Sequence, residues 1–556
     1  MNVGISIPPF LNPLTTSYAA ALLANIAIRA GHTVKVDPGY MTVAENALRA
    51  GMPWEVWKRF MNDPFLGDLA ILPLMRDWEV RYAEDRNALA ASWSSEESQP
   101  LILEGVTSWL TASLEQLADV DVLAISATHY ALAPAIVLAQ HFRAKKPNTY
   151  IVLGGYFGSL GAAANLMEQH GECIDCLVYG EAESSWQRVL HEQPHGIVRG
   201  LPGPLSTDPV TQSPVMDFAK TRPWILKRLT ASLEFSRGCY WDKCDFCNFN
   251  AGYGGGFRER DPRILLEEID RFVEQGIDRF QLLDTSVSVR LGKYLEKNRV
   301  RRDIQMFCEI RADYRRRDLE ALARLGSLTV QIGVESLSDS HLLTMQKNAT
   351  VSDNVRSLRA CRDLGIPVTW GVFVAHPNET REQLEEIIDA MKLLHHLPPP
   401  KYVTYCEVRP GSILWRSEVE LGSSVFMFGH RIFDCYLKPD PLFAEFLPTK
   451  RIDSKPIHTD LIERIQTEVW RWTSAYELGN AERTVYLDSG EYRVTDLEGR
   501  QCSILSDKLL AALRRGQHLE VIVLEGALAC EAIASGVAIL ASDSRAVVIA
   551  DLVGTA

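Results

Sequence analysis

The chain has 556 residues, of which 46% are hydrophobic and 23% charged, and its formal net charge is −13 at pH 7. One hydrophobic core rarely supports this length, so we expect roughly two to four domains. The acidic charge argues against non-specific nucleic-acid binding, which depends on basic surfaces. Because no run of about eighteen apolar residues occurs and MNVGISIPPFLN lacks a basic leader, neither a membrane span nor a signal peptide is expected, and a cytoplasmic location is predicted.

The first 200 residues alternate strand-like and helix-like segments. NVGISIPPF predicts a strand followed by an apolar helix over Ser17–Arg29, and VDVLAISATH predicts a strand followed by a helix over Ala131–Arg143. NTYIVLGGYFGS and CIDCLVYGEAE predict two further strands. This order predicts an open, doubly wound parallel sheet, whose ligands bind beyond the carboxyl ends of the strands.

Two of these strands end in glycine turns, Gly154-Gly155 and Gly180-Glu181. Because glycine lacks a side chain, such turns let a flat ligand approach the backbone closely. A nucleotide or a flavin would suit this edge, although the sequence contains no G-x-G-x-x-G or Walker motif. The residues alone therefore predict a ligand site here and leave its ligand open.

A cysteine cluster follows the strand-like segment SLEFS, with Cys239, Cys244 and Cys247 spaced within nine residues in FSRGCYWDKCDFCNFN. Thiolates select soft metals, so zinc and an iron–sulfur cluster are the two candidates. Structural zinc takes four ligands, and no second Cys/His pair at zinc-finger spacing lies nearby. A [4Fe–4S] cluster held by three cysteines leaves one iron open for a substrate. The iron–sulfur interpretation is favoured, and zinc or metal-free thiols remain the alternatives.

Residues beyond this cluster predict a second parallel sheet. Strand-like runs SLEFS, RFQLL, IQMFCEI, LTVQIGV, PVTWGVFV and KYVTYCEV alternate with amphipathic helices over Arg263–Gln275, Arg317–Leu325, Val351–Leu364 and Arg381–Leu394. Six such βα units predict a partial barrel with its chemistry at the carboxyl ends of the strands. The cysteine cluster lies at that edge, after the first strand.

The segment Cys244-Asp245-Phe246-Cys247 resembles the cysteine signature of the radical S-adenosylmethionine (SAM) superfamily. The first gap, Tyr240–Lys243, has four residues where the usual signature has three. The resemblance implies that the open iron binds the amino and carboxylate groups of SAM and that the backbone at Phe246 contacts adenine.

The resemblance continues at the strand ends. Asp284 and Thr285 stand where the superfamily binds the methionine amino group, and the arginine of CEIRAD stands where the SAM carboxylate is often bound. The turn Ala375–Thr380 stands in for a glycine-rich turn after strand five. The implied SAM-binding residues are Phe246, Asp284, Thr285, Glu309, Arg311, Glu335 and Ser336. Each of these polar residues has an alternative role as a helix cap or a solvated loop residue.

The amino-terminal pattern resembles the cobalamin-binding domain that precedes many radical SAM barrels. The implied cobalamin-binding residues are Ser126, Thr128, His129, Gly154, Gly155, Tyr156, Gly180 and Glu181. The D-x-H-x-x-G element that supplies a cobalt-coordinating histidine in one large group is absent. His129 is therefore expected to be a surface residue or a hydrogen-bond donor rather than a cobalt ligand, and Leu72–Trp78 is a candidate cover for the lower cobalt face.

The last third of the chain predicts a smaller unit. Phe426–Pro448 is aromatic-rich and predicts a capping loop, with substrate contact as an alternative, and Ile457–Tyr476 predicts an amphipathic helix with its tryptophans in the core. Two strands around Ser489-Gly490, helices over Lys508–Arg515 and Glu525–Ala534, and a hairpin in VAILASDSRAVVIADL are expected to follow. This loosely resembles the peptide-recognition modules of enzymes that modify ribosomal peptides, and a plain cap on the barrel is the alternative.

The predicted fold class is α/β, in three parts: a Rossmann-like cobalamin-binding domain over 1–205, a partial (β/α)6 radical SAM barrel over 206–415, and a small α+β carboxyl-terminal domain of winged-helix character over 416–556. This order resembles the cobalamin-dependent (class B) radical SAM methyltransferases, and particularly those that methylate carbon in natural-product or ribosomal-peptide maturation. The implied cofactors are a [4Fe–4S] cluster, SAM and cobalamin.

The resemblance implies transfer of a methyl group from SAM, through methylcobalamin, to carbon of a small aromatic compound, an amino acid, or a carrier-bound or peptide residue. It also implies a flavodoxin or ferredoxin as electron donor, with no nucleic-acid or membrane partner. No catalytic residue is assigned. Two alternatives stay open: a cobalamin-binding radical SAM enzyme that catalyses a rearrangement, cyclisation or epimerisation, and a zinc-stabilised binding protein.

Overall fold

The structure is a computed structural model. It describes residues 1–62, 71, 74, 98–127, 131–155, 160–210, 213, 215–250, 256–408, 412–416, 425–427, 450–452, 458–477, and beyond these a set of short strands and Leu509 between residues 484 and 552. Several predicted features lie outside the described residues: Thr128, His129 and Tyr156, nearly all of 72–78 and 426–448, and nearly all of the two helices predicted over 508–534.

The amino-terminal layer is a six-stranded parallel sheet in the order β2-β1-β3-β4-β5-β6. Its strands are β1 Asn2–Ser6, β2 Thr33–Asp37, β3 Val122–Ser126, β4 Tyr150–Gly155, β5 Cys176–Gly180 and β6 Gly196–Gly200. Its helices and the two short helices that follow it are α1 Tyr18–Arg29, α2 Gly39–Arg49, α3 Trp54–Asn62, α4 Ser98–Gln116, α5 Leu132–Lys145, α6 Leu160–His170, α7 Glu183–Glu192, α8 Met216–Lys220 and α9 Pro223–Leu226. The predicted doubly wound sheet is confirmed, with two edge strands, β2 and β6, that the sequence pattern did not indicate.

Alternate residues of the central strands face two separate cores. Val122 and Ala124 of β3 belong to a core that continues into the barrel, whereas Leu123 and Ile125 belong to the core beneath the outer helices. Strands buried on both faces have near-continuous apolar sequences. The edge strand β2 is mostly half-buried and mixes charged and apolar residues, which is why its sequence gave no strand signal.

The second layer is a partial barrel of six parallel strands. Its strands, with a short hairpin, are β7 Thr230–Leu233, β8 Ser236–Arg237, β9 Arg258–Glu259, β10 Arg279–Leu282, β11 Ile304–Arg311, β12 Gly326–Gly333, β13 Val368–Thr369, β14 Gly371–Val374 and β15 Tyr402–Tyr405. Its helices are α10 Pro262–Glu274, α11 Val289–Lys297, α12 Arg316–Ala323, α13 Asp339–Thr344, α14 Val351–Asp363 and α15 Arg381–Leu393. The sheet β13-β12-β11-β10-β7 continues into β14-β15 through a parallel bridge between Glu335 and Val372. The predicted partial barrel is confirmed.

The segment after β1 joins the two layers. The Thr230 backbone N–H donates to the Leu14 carbonyl over 2.8 Å, and the Thr16 N–H donates to the Thr230 carbonyl over 3.0 Å. The Thr16 hydroxyl also accepts a 2.9 Å hydrogen bond from the backbone N–H of Ser232. Residues near the amino terminus therefore pair with the first barrel strand.

Helix α17 Thr459–Glu477 connects the carboxyl-terminal part to the barrel. The Trp472 indole is buried 5.6 Å from the Trp370 ring and donates a 2.7 Å hydrogen bond to the Leu397 carbonyl, whereas Trp470 is 69% exposed. The predicted core role is therefore confirmed for Trp472 and wrong for Trp470.

The remaining elements are the helix α16 Ile413–Arg416 and the strands β16 Glu407–Val408, β17 Val425–Met427, β18 Lys450–Ile452, β19 Thr484–Asp488, β20 Glu491–Thr495, β21 Gln501–Ile504, β22 Val523–Glu525, β23 Ala538–Ser542, β24 Arg545–Val548 and β25 Asp551–Leu552.

Both predicted hairpins of this part are present. Strands β19 and β20 pair antiparallel, with Asp488 opposite Glu491, and β23 pairs antiparallel with β24. The structure adds β21 beside β20 and β22 beside β24. Glu525, predicted to begin a helix, is the last residue of β22 instead, because it pairs with Arg545 in that sheet. Of the helices that the structure describes, none is both long enough and apolar enough to cross a membrane.

Candidate active site

The three predicted metal ligands lie on one loop between β8 and β9. Gly238, at φ +85°, begins this loop, and a side chain there would meet the Gly256 carbonyl at 2.8 Å. Asn250 ties the two ends of the cysteine segment together: its amide oxygen accepts from the Cys239 N–H over 2.5 Å and its amide nitrogen donates to the Cys239 carbonyl over 2.9 Å. The loop is thus shaped by its own backbone and by one asparagine.

The three thiols share one electrostatic environment. Burial, with smaller contributions from the neighbouring Cys244 and Cys239 thiols, raises the pKa of Cys247 to about 11. Burial also raises the pKa of Cys244, while the cations of Lys347 and Arg311 lower it. Thiolates at this site need compensating positive charge, and a bound metal or cluster supplies it.

The spacing of donor atoms bears on the identity of the metal. A single tetrahedral zinc with Zn–S bonds of about 2.3 Å brings its sulfurs to within roughly 4 Å of each other. Among the described residues, the set whose donor atoms all lie within 4.8 Å of each other consists of His170, Glu172 and Cys173, and does not include the cysteine loop. A cubane spreads its thiolates over separate iron atoms, so three cysteines that do not converge on one point are compatible with a [4Fe–4S] cluster.

Asp245, between the second and third cysteines, anchors the loop to the barrel. Its buried carboxylate lies 3.1 and 3.2 Å from Nε2 of His376, which is in the turn after β14. Its backbone N–H donates to the Met345 carbonyl and its carbonyl accepts from the Leu414 N–H over 2.9 Å. Phe246 is half-buried with its ring 4.5 Å from the ring of Phe373. The cysteine loop is therefore fixed against three separate parts of the barrel.

Four of the predicted SAM-binding residues lie at the ends of β11 and β12. Burial raises the pKa of Glu309 to about 7, and the charge of Glu335 contributes. Glu335 has φ +61° and accepts a 2.9 Å hydrogen bond from Nζ of the buried Lys347. Arg311 is 6% exposed, and its Nη2 donates to the Asn348 carbonyl over 2.9 Å. Ser336 is fully buried beside His341, at 3.1 Å from its Nδ1.

Asp284 has a set of partners inside the protein. Its carboxylate accepts hydrogen bonds from the backbone N–H of Phe235 over 2.9 Å and from both the N–H and the hydroxyl of Ser236 over 2.5 Å. Burial raises the pKa of Asp284 to about 7. This carboxylate therefore holds the strand that leads into the cysteine loop, while Thr285 beside it is half-buried. The SAM-binding roles of all seven predicted residues stay predictions: Phe246, Asp284, Thr285, Glu309, Arg311, Glu335 and Ser336.

A cavity of about 340 Å³ lies between the carboxyl ends of the first sheet and the barrel. The predicted cobalamin-binding residues along it are Ser126, Gly154, Gly155, Gly180 and Glu181. From the barrel it is lined by Glu234, Arg237 and Leu283. The switch point of the sheet, where β1 lies beside β3, borders this cavity, as expected for ligand sites in open α/β sheets.

Buried ion pairs connect the two sides of this cavity. Arg237 contacts the carboxylates of Glu181, Glu183 and Glu234 at 2.9, 2.7 and 2.8 Å. Arg258 also binds Glu181 and donates to the Gly203 carbonyl over 2.6 Å. Glu181 therefore binds two arginines of the barrel in this structure, and its predicted contact with cobalamin stays a prediction.

The three glycines at this edge of the sheet differ in how tightly the neighbouring backbone surrounds them. Gly155, at φ +147°, has no room for a side chain, since a Cβ would lie 1.5 Å from the Ala127 carbonyl oxygen. At Gly180, with φ +94°, a Cβ would lie 2.7 Å from the Gly200 oxygen. A Cβ on Gly154 meets nothing closer than Val178 at 4.0 Å. Strand packing therefore requires Gly155 and Gly180, whereas Gly154 leaves space on the cavity side.

Several residues of the site were not predicted from the sequence. Arg237 had a signal in its position two residues before Cys239, at the start of the motif. Lys347 and Asn250 had none, because only the fold brings Lys347 to Glu335 and Asn250 back to Cys239.

The sequence of this chain is similar to those of known proteins. Residues 233–391 match the Radical SAM superfamily. Hopanoid C-3 methylase of Methylococcus capsulatus is 26% identical over 359 residues, which cover 60% of this chain and 68% of that protein. Anaerobic magnesium-protoporphyrin IX monomethyl ester cyclase of Rubrivivax gelatinosus is 25% identical over 291 residues, which cover 46% of this chain and 52% of that protein.

One solved structure shares the fold. The radical SAM methyltransferase TsrM of Kitasatospora setae, solved with cobalamin and a [4Fe–4S] cluster bound, aligns with a TM-score of 0.51 and 15% identity, over 74% of this chain and 76% of that chain. At this identity the likeness concerns the fold. Together with the cysteine loop on its partial barrel, the match over residues 233–391 confirms the suspected radical SAM class for this part of the chain, and the proteins that the chain resembles include a hopanoid methylase.

Proposed function

We propose that this protein is a cobalamin-dependent radical SAM methyltransferase that transfers a methyl group from SAM to a carbon atom of its substrate. The observation that carries this proposal is the shared cavity, which is lined both by the glycine edge of the first sheet and by Arg237, two residues before Cys239. One cavity thus extends from the predicted cobalamin edge to the strand that leads into the cysteine loop. A methyl carrier and a SAM-cleaving cluster must face one substrate, and this arrangement supports that.

The residues of the cysteine loop fit a cluster with three protein ligands. Cys239, Cys244 and Cys247 supply the thiolates, and Lys347 and Arg311 supply neighbouring positive charge. The donors of Arg311 suit the SAM carboxylate, since a guanidinium fork matches a carboxylate in shape and charge. Among the described residues the Glu309 carboxylate makes no hydrogen bond, so it is a candidate for the SAM ammonium group.

The edge of the first sheet fits a flat ligand. Gly154 leaves open space toward the cavity, and the apolar side chains of Ala124, Val152 and Val178 line it. When bound, the cluster would supply the electron that cleaves SAM, and cobalamin would carry the methyl group. The chain would orient both ligands, and Leu283, 46% exposed at the end of β10, would present an apolar surface between them.

Labelled SAM tests this proposal. The anaerobically reconstituted protein, given cobalamin, a reductant, candidate substrates and SAM with a CD3 group, is expected to yield a product heavier by the labelled methyl group. Substrates deuterated at the target carbon report whether hydrogen abstraction precedes transfer. A product formed without the label would exclude methyl transfer.

A second candidate is a radical SAM reaction without methylation, such as cyclisation, rearrangement or epimerisation. The similarity to the cyclase of Rubrivivax gelatinosus is the observation that favours this second candidate. That reaction would release 5′-deoxyadenosine without S-adenosylhomocysteine, so quantifying both compounds separates the two candidates. A zinc-stabilised binding protein would instead contain zinc and no acid-labile sulfide.

The substrate and partners are proposed from the superfamily resemblance. We infer a role in natural-product biosynthesis, with a small aromatic compound, an amino acid, or a carrier- or peptide-bound residue as methyl acceptor. A flavodoxin or ferredoxin is the proposed reductant and the cytoplasm the proposed location. The division into parts at residues 205 and 415 is likewise a proposal.

A further inference from the structure

The cysteine motif has an unusual first gap, and the structure shows where its side chains lie. Asp242, at φ +52°, turns the backbone so that Tyr240 and Trp241 reach two separate loops of the barrel. The Tyr240 hydroxyl lies 2.7 and 2.8 Å from the two carboxylate oxygens of Asp313, in the loop after β11. The Trp241 indole N–H donates over 2.8 Å to the Gln346 carbonyl, in the loop after α13.

Both aromatic rings lie against Arg311. The guanidinium carbon is 5.7 Å from the Tyr240 ring centre and 5.8 Å from the Trp241 ring centre, within the range of cation–π contact. Asp313 also approaches Nε of Arg311 at 4.0 Å, while Nη2 is held by the Asn348 carbonyl. The guanidinium is therefore contacted both by the motif gap and by two residues of the barrel loops.

Arg311 retains unused hydrogen-bonding capacity. It is 6% exposed, yet its Nε makes no hydrogen bond to any residue that the structure describes. A buried donor without a hydrogen bond costs free energy unless a ligand accepts that hydrogen bond when it binds. Because Tyr240 and Trp241 directly follow Cys239 in the chain, their ring contacts place this guanidinium close to the cysteine loop.

We propose that Tyr240 and Trp241 are positioning residues that hold the Arg311 guanidinium in place for the carboxylate of SAM. The four-residue gap would then serve to carry two aromatic rings to this arginine as well as to space the cysteines. This inference rests on the proposed function in one respect only, that SAM is the ligand of Arg311. Loss of either aromatic contact would leave the cysteines intact but allow the guanidinium to move.

The test is SAM binding to the reconstituted, reduced protein without any methyl acceptor. Tyr240→Phe keeps the ring and removes the bond to Asp313, and Trp241→Phe keeps a ring and removes the bond to Gln346. Each variant is expected to weaken SAM binding roughly three- to tenfold, the effect of one lost hydrogen bond. Arg311→Lys, which loses the guanidinium fork, should weaken it more. Trp470→Phe, at an exposed tryptophan of α17, is the matched control and should leave binding unchanged.

The measurements separate positioning from cluster support. Iron and sulfide per chain, and the electron paramagnetic resonance spectrum without SAM, should match the wild type in both aromatic variants. The change of that spectrum on adding SAM should require higher SAM concentrations. Unchanged SAM affinity in both variants would overturn the proposal, as would a loss of iron that accounts for the weaker binding. This test does not depend on methyl transfer, since no methyl acceptor is present. Unchanged SAM affinity in Arg311→Lys would show that SAM is not the ligand of Arg311.

Discussion

The carboxyl ends of the two parallel sheets are built in different ways. At the barrel, the cysteine loop is fixed by side chains that reach distant loops, such as Asp245 to His376 and Trp241 to Gln346. At the first sheet, the edge is shaped by backbone, since Gly155 and Gly180 pass close to neighbouring carbonyls. A cluster needs its ligands at fixed positions, whereas a broad flat cofactor needs an unobstructed surface, and the two edges correspond to those two requirements.

The largest expected effect is at the cysteine loop. Cys239→Ala, Cys244→Ala and Cys247→Ala should each abolish the bound cluster and all SAM cleavage, because three thiolates are the minimum set for this site. Cys361→Ala, a buried cysteine of α14, is the control and should keep the cluster. Iron and sulfide analysis of anaerobically purified protein checks this. Full iron content in all three variants would contradict the assigned site.

The next effect concerns the ion pairs between the two edges. Arg237→Met leaves the carboxylates of Glu181, Glu183 and Glu234 without this partner, so the free energy of unfolding should fall by about 3 kcal/mol. Arg263→Met, at an exposed pair with Asp261, should change it far less, because solvent screens such a pair. Denaturant titration of both variants measures the difference. Equal small effects would show that the edges are joined mainly by apolar contacts.

Adjacent glycines test the backbone explanation of the first edge. Gly155→Ala places a methyl group against the Ala127 carbonyl and should cost at least about 2 kcal/mol of unfolding free energy. Gly154→Ala has room, so its stability should change by less than about 1 kcal/mol while cobalamin binding weakens. Denaturant titration and the visible absorption of bound cobalamin measure the two quantities. If Gly154→Ala bound cobalamin as well as the wild type, the ligand would lie elsewhere.

The smallest effect concerns a buried carboxyl below the cysteine loop. Burial raises the pKa of Glu379 to about 7. Between pH 4.5 and 7 the folded protein therefore keeps Glu379 protonated, whereas the unfolded chain has released this proton. The stabilisation of the folded state by the protonated carboxyl is complete below about pH 4.5 and is lost as the pH rises through 7. Relative to Glu379→Gln, the wild type should lose on the order of 2 kcal/mol of unfolding free energy between pH 5 and 7.5. Denaturant titration at both pH values checks this, and parallel pH profiles would contradict it.

The sequence predicted most of what periodicity and spacing determine. Strands buried on both faces, such as β3 and β4, were evident as apolar runs, and the cysteine loop was evident from its spacing. The strands β2 and β6 were missed because edge strands carry mixed side chains. The partners of Asp284 and Glu181 were missed for another reason. A carboxylate that binds a ligand and one that binds a distant backbone or arginine look alike until the chain is folded.

The pairing of Leu14 and Thr16 with Thr230 has a consequence for how the chain is assembled. The first barrel strand forms backbone hydrogen bonds with a segment that lies more than 200 residues earlier in the chain. A polypeptide cut near residue 206 would leave that strand with an unsatisfied edge, and such edges promote aggregation. During synthesis the amino-terminal sheet is made first, so it can serve as the template on which the barrel begins to form.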